Sequence, residues 1–171
     1  SNNNIAGLSV ASVTVTTMNS GAAYDFIGNG ITLTGPITFS NPGVGTGSGD
    51  PNWAIPITLG ASITMTSDGR VTPFNATIGL GANTLTIAGG GDLWINGIVS
   101  GAGGITKNSS SAFQLFGANT YSGATLVNSA TIFARNAAAF GSSATGTPFA
   151  NGAGLGVLSG TLTVNAVAGV A

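Results

Sequence analysis

Apolar and polar residues alternate with a period of two in short runs along the whole chain. In "ITLTGPITFS", Ile31, Leu33, Ile37 and Phe39 share one face if a turn at Gly35-Pro36 resets the phase, and Thr32, Thr34 and Thr38 take the other. "IPITLGASITMTS" repeats the pattern with Ile57, Leu59, Ile63 and Met65. The pairs Leu85/Ile87, Leu93/Ile95, Phe113/Leu115 and Leu162/Val164 extend it. Apolar side chains turned inward and threonines turned outward predict strands, because β-branched threonine suits an exposed pleated face. Helical periodicity is nearly absent. "FARNAAAFGSS" is the one candidate, a single turn with Gly141 as its stop.

The strands are short, and the 29 glycines fall between them, where a chain turns sharply or stacked backbones approach closely. "GANT" occurs at Gly81 and Gly117, and "TxT" begins at Thr14, Thr32, Thr64, Thr84 and Thr161. The intervals are irregular, but several lie near about 20–25 residues, a length typical of stacked solenoid coils. A sandwich or closed barrel also fits the alternation; charge-poor outer faces and glycine-dense corners favour a parallel β-helix. No compositional break divides residues 1–171, so one all-β domain is expected. Residues 40–53, "SNPGVGTGSGDPNW", read as a long loop excursion from one corner.

Composition narrows the function. Charged residues make up 4% of the chain, against about 25% in an ordinary soluble domain, and the net charge is −1. Such a surface gives no electrostatic hold on nucleic acid or anionic lipid, and little repulsion between copies. Few titratable groups also predict a stability that varies weakly between pH 4 and 9. No cysteine is present, which excludes disulfides and thiolate metal sites, and no histidine, the commonest general base and metal ligand. No apolar run reaches the roughly 18 residues of a membrane-spanning helix. Mean hydropathy is nonetheless +0.44, the sum of many short strands. The start at Ser1, without a leader, predicts a chain that is processed or cut from something longer.

One stretch carries a family resemblance. "VSGAGGITKNSSSAFQLFGANTYSGATLVNSATIFARNAAAFGS" resembles the autotransporter-associated β-strand repeat of bacterial passenger domains. Ile105-Thr106-Lys107 matches its corner, Gly117 to Tyr121 its "GANTY", Ser122-Gly123-Ala124-Thr125 the following turn with Ala124 in place of a glycine, and Asn136 to Gly141 its short alanine segment. "YDFIGNGITLTG" and the run from Ile55 to Gly90 resemble earlier coils more loosely. In the link "KNSSSA", serines stand where the family has glycines, and the family's outer-membrane barrel is missing, which implies removal or another export route. The resemblance implies a right-handed parallel β-helix, secreted or held at a bacterial cell surface, acting as scaffold, stalk or adhesin. It implies no reaction and no cofactor.

Candidate chemistry is sparse. Asp68 and Asp92 lie about one coil apart and could pair for acid/base work on a polysaccharide, but "SDG" and "GGGD" are also ordinary corner sequences. "AGGGDLW" is one imperfect copy of a glycine-rich calcium repeat, too little for an oxygen shell, so no metal site is expected. Outward threonines raise ice binding, against which the irregular spacing counts. "NAT" at Asn75 and "NSS" at Asn108 fit the N-glycosylation pattern. Trp53, Trp94, Phe116 and Tyr121 are the candidate ligand-binding residues, a sugar-stacking platform; cover by the long loop or by a neighbouring subunit is the alternative fate of such aromatics.

A β-helix leaves unpaired strands at its ends, and neither "SNNNIAGLSVASVTVTT" nor "GTLTVNAVAGVA" reads as a charged cap. The first expectation is therefore an extracellular structural protein whose copies stack end to end, with residues 1–20 as a pairing strand for a neighbouring copy. The second is an adhesin-like module that binds a glycan or host surface.

Overall fold

The computed structural model describes residues 2–16, 25–40, 52–68, 71–142, 147 and 150–157. Residues 41–51 of the expected loop excursion, residues 17–20 of the expected pairing strand, and Leu162 and Val164 lie outside them.

The chain winds as a parallel β-solenoid. The first coil holds β1 (Asn2–Asn3), β2 (Leu8–Val10) and β3 (Val13–Thr16); the second holds β4 (Asp25–Gly28), β5 (Ile31–Leu33) and β6 (Ile37–Ser40). The third holds β7 (Asn52–Trp53), β8 (Ile57–Leu59) and β9 (Ile63–Asp68); the fourth, β10 (Thr72–Phe74), β11 (Ile78–Gly79) and β12 (Leu85–Ala88). The fifth holds β13 (Leu93–Ile95), β14 (Val99–Ser100) and β15 (Ile105–Lys107); then follow β16 (Phe113–Leu115), β17 (Thr125–Val127), β18 (Thr131–Ala134) and β19 (Gly154–Val157). Corresponding strands of successive coils pair in parallel, giving sheets of eight, five and six strands. The expected single turn of helix near Ala137 is instead a series of tight turns, and no helix occurs among the described residues.

Every strand turns alternate residues inward, so the ladders stack like on like. Leu8, Ile31, Ile57, Ile78 and Val99 form one inward column of the five-stranded sheet. Val13, Ile37, Met65 and Ile87 form another in the six-stranded sheet. The inward members of this core are almost all inaccessible to water. Each such side chain contributes roughly 1.5–3 kcal/mol, opposed by chain entropy. After β14 the middle sheet continues without a regular strand: Thr120 N donates to Val99 O (2.9 Å) and Ser122 N to Gly101 O (2.9 Å). This register sets Asn119 on Val99 and Tyr121 on Gly101. Asn119, buried in an apolar column, is satisfied there: its Oδ1 accepts from Val99 N at 2.8 Å and its Nδ2 donates to Ala139 O at 2.6 Å.

Residues Leu8–Val10 and Val13–Thr16, expected to pair with another copy, form the first coil of this chain's own stack, on β5 and β6. The corners carry polar ladders of their own. Asn96 Nδ2 donates to Asn75 Oδ1 (2.6 Å), Asn75 Nδ2 to Asn52 Oδ1 (2.5 Å), and Asn52 Nδ2 to Asp25 Oδ1 (2.8 Å). Asn108, the other glycosylation-pattern residue, accepts from Asn128 Nδ2 at 2.8 Å.

Candidate functional site

Two of the four candidate aromatics are core residues. Trp53 is 2% exposed and sits on the inward column between Phe26 and Phe74, stacked on both at 5.3 and 5.8 Å, with the edge of Phe39 5.9 Å away. Its Nε1 donates to Ile55 O at 2.7 Å, so neither face nor donor remains for a ligand. Tyr121 is fully buried in the inward register of the middle sheet, in line with Gly101 of the coil below. Its hydroxyl pairs with Thr125 Oγ1 at 2.5 Å, and burial pushes the phenol up to about 12. The binding role expected of Trp53 and Tyr121 is therefore corrected to packing.

Trp94 and Phe116 do face outward, and the register adds partners that the sequence did not single out. Pro73, Trp94, Gln114 and Phe133 lie side by side on the outer face of the eight-stranded sheet, one from each of β10, β13, β16 and β18. A second outward column follows the strand ends. Asn96 N, Phe116 N and Arg135 N each donate to the coil below, to Phe74, Ile95 and Leu115 O, all at 2.9 Å. Trp94 and Phe116 meet with ring centroids 5.9 Å apart, tilted by 48°. The Arg135 guanidinium lies 5.4 Å from the Phe116 ring and 5.9 Å from that of Phe133, within cation–π range of both. Arg135 Nε also donates to Gln114 Oε1 at 2.8 Å, which covers the Gln114 side chain. Trp94, Phe116, Phe133 and Arg135 are each half-buried. Trp94 Nε1 is buried without a hydrogen-bond partner. The alternation within "TIFARN" and "FQLFG" already turns Phe133 and Gln114 outward; what the sequence withheld was which coils stack on which.

The remaining candidates resolve into structural roles. Asp92 Oδ1 accepts from Ala112 N at 3.0 Å and Asp68 Oδ1 from Gly90 N at 3.4 Å, so both carboxylates hold corner amides. Asp68 ends β9 and Asp92 immediately precedes β13, both at the corner between the six- and eight-stranded sheets, but Asp68 lies level with Gly90 rather than Asp92, so the ladder does not stack the two. Among the described residues no group of three or more acidic, histidine or cysteine side chains could hold a metal ion. The threonines do align, as Thr14–Thr38–Thr66 and Thr64–Thr86–Thr106, but the two columns share only β9 and end at Ala88 and Leu126.

Lys107, read as a corner residue, points inward between Ile87 and Val127. Its Nζ donates to Ser109 O (2.8 Å) and Ser129 O (2.7 Å). Burial lowers its pKa from 10.5 to about 8, partly offset by the negative charge of Asp92.

No family model matches the chain, and no solved structure matches it. A stretch of 101 residues, 58% of the chain, is 40% identical to the Adhesin BmaC autotransporter of Brucella suis biovar 1 (strain 1330). The chain spans 3% of the length of that protein, to which it is similar as one short section.

Proposed function

We propose that this chain is a section of a bacterial adhesin-like passenger: an extracellular β-solenoid stalk that displays side chains at fixed intervals and carries out no catalysis. The observation that carries the reading is the 101-residue likeness to an autotransporter adhesin, coming together with a register-locked parallel solenoid. The composition supports it. Carboxylates that hold corner amides and a chain without histidine suit a passive, durable display surface. An antibody raised against the chain should label intact cells of the source bacterium or its culture medium; labelling that requires permeabilised cells refutes the surface assignment.

Stacking of copies end to end is the second reading. It is favoured by the net charge of −1 and by Ile5 and Ile27 on the first two coils, 61% and 46% exposed. Sedimentation and electron microscopy of the purified chain test it: concentration-dependent filaments are expected, and dispersed monomers at high concentration remove it.

A further inference from the structure

We propose that the outer face of the eight-stranded sheet, at Trp94, Phe116, Phe133 and Arg135, is a glycan-binding platform. This rests on the adhesin-like reading and gives it a ligand class and an address.

Several independent features converge on a sugar. The rings come from three successive coils, β13, β16 with the residue following it, and β18, so they extend about 10 Å along the axis, two strand spacings. That is the length of a disaccharide lying along the solenoid. Trp94 and Phe116 are adjoining, half-buried rings of the kind that stack on the C–H faces of pyranoses, and the Arg135 guanidinium over Phe116 sets a polar edge beside them. The Trp94 Nε1 donor is desolvated and unpaired, which costs about 1–3 kcal/mol, and a ligand hydroxyl reached by a small rotation of the indole would satisfy it. Size separates a sugar from a protein partner. Three half-buried rings leave about 200 Å² for contact at most, given the 150–250 Å² of an aromatic side chain, whereas a stable protein interface needs about 800 Å² per partner. Cellobiose, lactose and chitobiose are the neutral probes, and sialyllactose the acidic one that Arg135 would favour.

Tryptophan fluorescence suits the test, because Trp94 is half-buried at the platform while Trp53 is enclosed in the core. Titration of the whole chain with these four sugars should give a saturable change with at least one of them. Trp94→Ala and Phe116→Ala should each weaken binding about tenfold or more, read by calorimetry, with the circular dichroism spectrum and melting temperature near those of the parent chain. Trp94→Phe keeps a ring and lacks the donor, so it should fall between parent and Trp94→Ala and serves if the alanine variant fails to fold. Absence of binding to all four sugars overturns the proposal, as does parental affinity in folded Trp94→Ala and Phe116→Ala. Cells labelled by antibody while no sugar binds would sink the platform and leave the adhesin-like reading standing. Sugar binding with no surface labelling would do the reverse.

Discussion

The lysine inside the solenoid should make the fold gain stability in mild alkali. Lys107 is fully buried, and its ammonium is held by two backbone carbonyls. The unfolded chain keeps this proton up to about 10.5, whereas the folded chain releases it near 8. Between those values the unfolded state binds more protons, so raising the pH favours folding. Below pH 8 the full cost of the buried charge is present; above it the cost is relieved by up to about 1.4 kcal/mol per pH unit. Tyr121 acts in the opposite sense. Its phenol ionises near 10 when unfolded and near 12 when folded, so above pH 10 the unfolded state gains and stability falls. The two effects place a maximum near pH 10, roughly 2 kcal/mol above the plateau below pH 8. Urea midpoints measured from pH 6 to 11 at constant ionic strength should rise by about 1 M between pH 8 and 10 and then decline. Lys107→Met should flatten the rise and leave the decline. A parent chain whose midpoint is level or falls between pH 8 and 10, or an unaltered rise in Lys107→Met, refutes the reasoning. Composition alone predicts a weak dependence from pH 4 to 9; the buried ammonium is expected to steepen the upper end of that window.

Three further outcomes follow from the packing. Leu115→Asp places a carboxylate at a fully buried position and should cost more than about 4 kcal/mol in urea unfolding, while Thr66→Ser, on the outer face, should stay within about 0.5 kcal/mol. Trp53→Ala removes the centre of the Phe26–Trp53–Phe74 stack and should cost about 3–5 kcal/mol by the same measurement; a loss below about 1 kcal/mol would mean that the ring is not in the core. Gly97→Ala would drive its new methyl into the Ala76 carbonyl of the coil below, and the melting curve should show a loss of about 1–3 kcal/mol that the exposed Ala118→Ser does not.

The fold was legible where alternation was uninterrupted. Ile31 to Phe39 and Ile57 to Met65 announced both the inward face and the corner at Gly35-Pro36, and the structure places all eight apolar residues in the core. Register was not legible, because coils differ in length and the corners absorb the difference: the amide ladder links residues 27 apart at Asp25–Asn52 but 21 apart at Asn75–Asn96. For the same reason the two "GANT" phrases do not stack. Asn83 lies in the corner before β12, and its Nδ2 donates to Leu59 O at 2.9 Å; Asn119 lies inside the middle sheet. Trp53 was misread because it follows a glycine-rich run with no alternation to orient it. Tyr121 was misread because no regular strand alternation surrounds it, and its inward orientation follows only from the register of Thr120 and Ser122 on Val99 and Gly101. Lys107 escaped because alternation alone puts position 107 inside, and a lysine there overrides expectation until its two carbonyl partners are seen.

The asparagine seam from Asn96 to Asp25 has a grammar. All its amides donate in one direction, so every inner member must both give and accept, and only the final acceptor can be a carboxylate, which is where Asp25 stands. Asn96 precedes Gly97, a pair in which an unhindered backbone nitrogen can attack the side-chain amide and expel ammonia. In the closed stack that nitrogen points to Phe74 O, 3.4 Å away, and the side chain is tied to Asn75. An opened corner frees both, and conversion to aspartate would then set one acceptor against another on reclosure. The seam thereby leaves this corner open to chemical ageing whenever it opens, and each converted amide would weaken its reclosure.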